Sequence, residues 1–307
     1  MQPADSPASP ASTGAAVPYA GQHGGDGPAV ARALGLEPAD LLDLSQTMNP
    51  FAPDVKVILR RHLDSVGHYP DPREATAMLA DVMGVTPERL LLTNGGSEAI
   101  TMVTEVQGGG ARSEPEFALH PRAKDGPRWR SNPHSPSGRL ATREDHADVW
   151  DEAFYPLATG AWTAGRGGIV VGSLTKTFAC PGLRLGYLLA EDVEPFAARQ
   201  PHWSVSSLAL ATLPDLLAQA DLARWARRIA SARDDLATLL RRHGMGVEAA
   251  DAPWVLARSN RDLRTELAPH GVLVRDCASF GMPGTYRIAV PDAEGLERLS
   301  LALQRLD

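Results

Sequence analysis

The chain has 307 residues, 43% apolar and 22% charged, enough for one large or two medium domains with the apolar content of a globular protein. Its net charge is -7 and its pI lies near 5.7, so it lacks the basic footprint of a nucleic-acid partner. Two cysteines, Cys180 and Cys277, give no disulfide framework and fit a reducing, cytoplasmic compartment, and no apolar run nears the roughly 18 residues of a membrane span.

Residues 1–20 are rich in Pro, Ala and Ser, without Lys, Arg or an apolar stretch. They read as a disordered tail rather than a secretory signal, and the fold is expected to begin near Gly21. ERLLLTNGG predicts a strand ending at Thr93, a turn, and a helix starting near Ser97. GIVVGS and LGYLLA predict two strands bracketing a loop that holds Lys176. From Ser204 to His243 apolar residues recur at helical spacing, and Pro214 within that run predicts two helices or a kink. After Gly244, WVLARS, a helix around residues 261–268, VLVRDC, TYRIAV and a final helix from Asp292 read as a separate small α+β domain. Short strand patterns alternating with longer helical ones indicate an α/β architecture.

The segment SLTKTFACPGLRLGY, from Ser173 to Tyr187, carries the chemistry. Lys176 becomes a nucleophile toward a carbonyl only as a neutral amine, which burial and a nearby cation such as Arg184 favour. The hydroxyls of Ser173 and Thr175 suit phosphate oxygens, and Arg184 offers a fork of parallel donors. Gly182 and Gly186 let the backbone bend and approach closely. In LTNGGSEAI, backbone N–H groups of Gly96 and Ser97 at a helix start, with the Ser97 hydroxyl, make an anion site. Taken alone, NGGSE is more often an N-capping turn.

The lysine segment resembles that of pyridoxal phosphate (PLP) enzymes of the aspartate aminotransferase superfamily. The resemblance implies fold type I: a mostly parallel central sheet in a large domain, plus a small α+β domain that also recruits the N-terminal segment. The expected divisions are 21–60 joining the small domain, 61–243 as the PLP-binding domain and 244–307 as the C-terminal small domain. By the same resemblance Asp151, in ADVWDEAFYP, pairs with the pyridine nitrogen, and Phe117, in EPEF, stacks on the ring. Tyr69, in HYPDP, reaches a neighbouring subunit's cofactor phosphate, which implies a homodimer, and Arg287, in YRIAVP, receives the substrate carboxylate. Outside this pattern Asp151, Phe117 and Arg287 each have an ordinary reading: an acid after a strand, core packing, and an arginine on an exposed strand.

HGGD at 23–26, DLSQTMNP at 43–50, HYPDP and RQPHWSVSSLA at 199–209 are similar to the threonine-phosphate decarboxylase branch of cobalamin biosynthesis. That branch converts L-threonine O-3-phosphate to (R)-1-amino-2-propanol phosphate, and the resemblance makes His23 and Arg275 candidates for the substrate phosphate. Histidinol-phosphate aminotransferase shares the cofactor residues, so a keto-acid-dependent aminotransferase is the alternative. The chain also departs from the pattern. NPHSPSG stands for NPNNPTG, so Ser135 replaces the asparagine expected to bond the ring hydroxyl, and Phe154 occupies the place of a tyrosine. Only fifteen positions separate Phe117 from Asn132 and thirteen separate Gly138 from Asp151, too few for a full helix, strand and turns. A reduced large domain with irregular connections is therefore expected, and with it a third reading: a PLP-binding protein with little catalysis. No metal ligands are expected.

Overall fold

The computed structural model describes residues 17–18, 21 and 24–306. His23 and the expected N-terminal tail, apart from Val17 and Pro18, lie outside the described residues. In chain order the strands are β1 (Leu42–Asp43), β2 (Leu90–Asn94), β3 (Gly110–Ala111), β4 (Arg128–Ser131), β5 (Val149–Asp151), β6 (Ile169–Gly172), β7 (Leu185–Leu189), β8 (Gly246–Ala249), β9 (Trp254–Arg258), β10 (Val272–Leu273), β11 (Arg275–Asp276) and β12 (Thr285–Ala289).

One sheet has the order β2-β7-β6-β5-β4-β3. Strands β3 to β6 are parallel, and β7 runs antiparallel to both its neighbours. Alternate side chains enter two cores, as the period of two along a strand dictates. Val149, Ile169, Val171 and Leu188 pack with Ala99, Ile100 and Val103 of the helix Gly95–Gln107. Trp150, Val170, Tyr187 and Leu189 pack on the other face with Leu79, Leu213 and Leu217. Burial on both faces explains why β6 and β7 read as unbroken apolar runs. A second, antiparallel sheet has the order β11-β12-β9-β8, and β1 pairs in parallel with β10. The mostly parallel central sheet with a smaller α+β unit is the architecture the sequence led us to expect.

Several boundaries differ from the sequence reading. No turn separates β2 from its helix: Gly95, at φ +75°, reverses the chain in one residue, so the helix starts two residues before Ser97. Pro214 neither breaks the helix Ser207–Ala218 nor divides the run. It removes one backbone donor, while buried Leu213, Leu216 and Leu217 hold both sides of it in the core. The break falls at Gln219–Asp221, where the Asp221 carboxylate caps the helix Leu222–Arg242 by accepting from Arg224 N. That helix joins the core around Trp150 through Leu222 and Trp225 at one end, and a third core, formed with Val255, Tyr286 and Ile288 of the smaller sheet, through Leu236, Ala237 and Leu240 at the other.

The short stretch between β3 and β4 contains no helix. Arginines satisfy its exposed carbonyls instead. Arg112 donates to the carbonyls of Ala123 and Gly126, and Arg122 to those of His120 and Phe117 and to the Glu114 carboxylate. Backbone acceptors that a crossover helix would pair internally are met by guanidinium groups. Among the described residues no helix is long and apolar enough to cross a membrane.

Candidate active site

The carboxyl ends of β4, β5 and β6, at Ser131, Asp151 and Gly172, converge on a cavity of about 330 Å³. Ligands of open α/β sheets bind at this edge. Because β7 is antiparallel, its first residues arrive at the same edge and bring Arg184 with them. The smaller sheet closes the opposite side with Arg275 and Arg287, and the N-terminal segment adds Ser45 and Thr47.

Lys176 sits on a single helical turn, Leu174–Thr177, rather than on a loop. Asn49 holds that turn: its N–H donates to Lys176 O at 3.1 Å and its Nδ2 to Thr177 O at 2.9 Å. Burial lowers the Lys176 pKa to about 8, helped by the charges of Arg287 and Arg184 and opposed by Asp151. The amine is thus far more available in neutral form than an exposed lysine.

At one end of the cavity Arg184 Nη2 donates to Ser97 Oγ at 3.1 Å, beside the first N–H groups of the helix that Gly95 opens. Arg184 itself has φ +56°. Close packing there requires glycine: a Cβ on Gly95 would lie 2.5 Å from Arg184 Nη2, and one on Gly186 would lie 2.4 Å from the Gly95 carbonyl carbon. Gly182 differs from expectation, with open space around it. Thr175 lines the cavity, but its hydroxyl donates to Leu185 O at 3.1 Å, so that proton is spent on the turn and not on a phosphate.

At the other end Asp151 is fixed twice. Ala153 N donates to Oδ1 at 3.0 Å, and His120 Nε2 lies 3.0 Å from Oδ2. His120 is fully buried and meets the Phe117 ring edge-on at 5.5 Å. Glu116 underpins the wall, accepting from Phe117 N at 2.9 Å and from both Ser131 N and Ser131 Oγ. Ser131 Oγ in turn accepts from Ser135 N at 2.7 Å. Ser135 Oγ points to no partner among the described residues although it is buried. Such an atom costs free energy unless a ligand meets it, so a hydroxyl-bearing ring fits there. Phe154 lines the same wall and packs on Trp254 at 4.9 Å.

Arg275 and Arg287 face each other across β11 and β12, both almost fully buried. Arg287 lies over Trp254 at 5.0 Å and Arg275 over Phe280 at 4.8 Å. Burial and the neighbouring Arg275 pull the Arg287 pKa below its ordinary value, although a guanidinium stays charged at neutral pH.

Of the residues singled out from sequence, Gly96, Ser97, Phe117, Ser135, Asp151, Ser173, Thr175, Lys176, Arg184, Arg275 and Arg287 all line this one cavity. Tyr69 does not: it is 79% exposed, and its ring lies 4.7 Å from that of Trp203 at a tilt of 36°. The sequence reading missed His120, Glu116 and Asn49. Asn49 stood in a noted motif, whereas His120 had only its three-residue distance from Phe117 to mark it.

A buried amine of lowered pKa, arginine and hydroxyl donors suited to a phosphate, and a fixed carboxylate line one cavity, the setting of an enzyme that uses a phosphorylated aldehyde cofactor. The chain belongs to the aminotransferase class I and II family, whose model matches residues 129–303. The cofactor of that family is pyridoxal 5'-phosphate, as the lysine segment led us to expect. The chain is 30% identical to a threonine-phosphate decarboxylase of Salmonella typhimurium, over 92% of this chain and 96% of that protein. It is 28% identical to a histidinol-phosphate aminotransferase of Halorubrum lacusprofundi, over 87% and 89% respectively. Among solved structures, the histidinol-phosphate aminotransferase of Clostridium acetobutylicum matches with a TM-score of 0.75 at 21% identity, covering 87% of this chain and 99% of that one.

Proposed function

We propose that the protein removes CO2 from L-threonine O-3-phosphate, giving (R)-1-amino-2-propanol phosphate for cobalamin biosynthesis in the cytoplasm. The observation that carries this reading is the pair Arg275 and Arg287, two buried guanidinium groups on adjacent strands opening into the lysine cavity. They suit a substrate bearing both a carboxylate and a phosphate, each of which accepts parallel hydrogen bonds. The segment RQPHWSVSSLA and the Salmonella relative favour decarboxylation.

In this reading Lys176 carries the cofactor, and Arg184, Ser97, Ser173 and the N–H groups of Gly96 and Ser97 hold its phosphate. Phe117 covers the ring, Ser135 bonds its hydroxyl, and Asp151 keeps its nitrogen protonated. When bound, pyridoxal phosphate supplies an electron sink for the bond that breaks. Arg287 grips the carboxylate and Arg275 the phosphate, which together set the substrate's orientation. With a pKa of about 8, Lys176 is suited to take and return a proton near neutral pH. Tyr69, exposed and in tilted contact with Trp203, serves the cofactor phosphate of a second copy in a homodimer. Sedimentation of the protein at micromolar concentration tests that assembly.

A second reading, transamination of histidinol phosphate or a similar amino acid or amine, draws on the Halorubrum relative. A third, cofactor binding with little catalysis, draws on Ser135, Phe154 and the shortened segment. The cofactor-loaded protein mixed with L-threonine phosphate separates them. CO2 release without any keto acid supports the decarboxylase, and turnover that requires 2-oxoglutarate supports the aminotransferase. A Lys176-dependent cofactor spectrum without turnover of either substrate supports the third.

A further inference from the structure

A second cavity, of about 200 Å³, lies at the edge of the central sheet. The hydrogen-bonded pair Glu116 and Ser131 separates it from the first, with Glu116 lining one and Ser131 both bonding Glu116 and lining the other. Arg112, Arg128, Arg130 and Arg139 all line it, in a chain whose net charge is -7. Little negative charge answers them. Asp145 pairs with Arg130, and the Asp148 carboxylate accepts from the Arg128 backbone N–H rather than pairing with its guanidinium. Glu116 is 4% exposed, and Ser131 and Phe117 already donate to its oxygens. Arg112 is tied to two neutral carbonyls, which orient its guanidinium without neutralising it. Among the described residues no carboxylate lies within salt-bridge distance of Arg112, Arg128 or Arg139.

Like charges gathered around one cavity repel unless an anion sits among them, and arginine forks match phosphoryl oxygens in geometry as well as charge. The Ser113 and Ser137 hydroxyls add neutral groups to the same lining. The volume is below the roughly 300 Å³ at which sites for drug-sized ligands begin, which suits one or two phosphoryl groups and not a nucleotide. We propose that this cavity is a binding site for a small phosphate-type oxyanion, separate from the cofactor and substrate sites.

Thermal unfolding of the cofactor-loaded protein tests this, with orthophosphate, pyrophosphate or glycerol 3-phosphate added and sodium chloride at matched ionic strength as control. A ligand at about 100 times its Kd is expected to raise the midpoint by roughly 4 °C. Fluorescence of Trp129, which lines the cavity, should change over the same concentrations. The rise should vanish in Arg128→Gln/Arg139→Gln, two side chains outside the core, and persist in Arg287→Lys. Tighter binding of orthophosphate identifies a free ion, and tighter binding of glycerol 3-phosphate an organic phosphate; either supports the site. An equal rise with sodium chloride, a rise that survives the double substitution, or one lost only in Arg287→Lys would overturn the proposal.

Discussion

The buried amine of Lys176 makes a prediction about stability that is independent of catalysis. Its pKa lies at about 8 in the fold, against an ordinary lysine value of 10.5. The unfolded chain therefore binds the proton more tightly than the folded one, and stability rises with pH between those two values. This contribution is complete above pH 10.5, falls away as the pH drops toward 8, and is flat below that. From pH 7 to pH 10 the cofactor-free protein should gain about 2.5 kcal/mol from this one group. Lys176→Met keeps the length and apolar stem of the side chain and removes the titration. Urea unfolding of both proteins at pH 7 and pH 10 gives the comparison, and titrations common to both, such as those of Cys180 and Tyr187, cancel in the difference. At pH 7 the Met variant should be the more stable, and its advantage should shrink by about 2 to 3 kcal/mol at pH 10. A difference independent of pH would show that Lys176 is not held in a desolvated, cation-rich site, and the reasoning about its reactivity would fall with it.

Further outcomes follow from the geometry of the cavity walls. Ser135→Ala should weaken pyridoxal phosphate binding by about 0.5 to 1.5 kcal/mol, measured by fluorescence titration, without lowering the stability of the cofactor-free protein; an unchanged Kd would remove Ser135 from the site. His120→Leu leaves Asp151 Oδ2 without its partner and should cost about 1 to 3 kcal/mol in urea unfolding. Gly186→Ala places a Cβ 2.4 Å from the Gly95 carbonyl carbon, where backbone cannot yield, and should cost about 1 to 3 kcal/mol or more while also weakening cofactor affinity. Gly182→Ala, in open space, should stay within about 0.5 kcal/mol of the parent.

The contrast between those two glycines shows what was legible in the chain. Both stand in the lysine segment and both read as points of close approach, yet only Gly186 has backbone against it. Local pattern identifies a residue type that permits contact, and only the packing of β7 on Gly95 and Gly96 decides where contact occurs. Thr175 is a similar case. Its position beside Lys176 suggests a phosphate donor, but the carbonyl of Leu185, ten residues on, accepts its hydrogen bond. Pro214 likewise reads as a break because its lost donor is a local fact, while the leucines that carry the helix past it belong to a core assembled from distant segments.

By itself the sequence determined the α/β class, the family and most of the residues that line the cavity around Lys176, because strand and helix periods and a short dense motif are local properties. It also located the shortened stretch between Phe117 and Asn132. Tertiary structure alone decided how that stretch is completed, with arginines meeting carbonyls that a helix would have paired. It alone brought His120, thirty-one residues away, onto Asp151, set Arg275 opposite Arg287, and lowered the pKa of Lys176. Those effects depend on burial and on charges placed a few ångströms apart by strands distant in the chain, quantities that no local pattern contains.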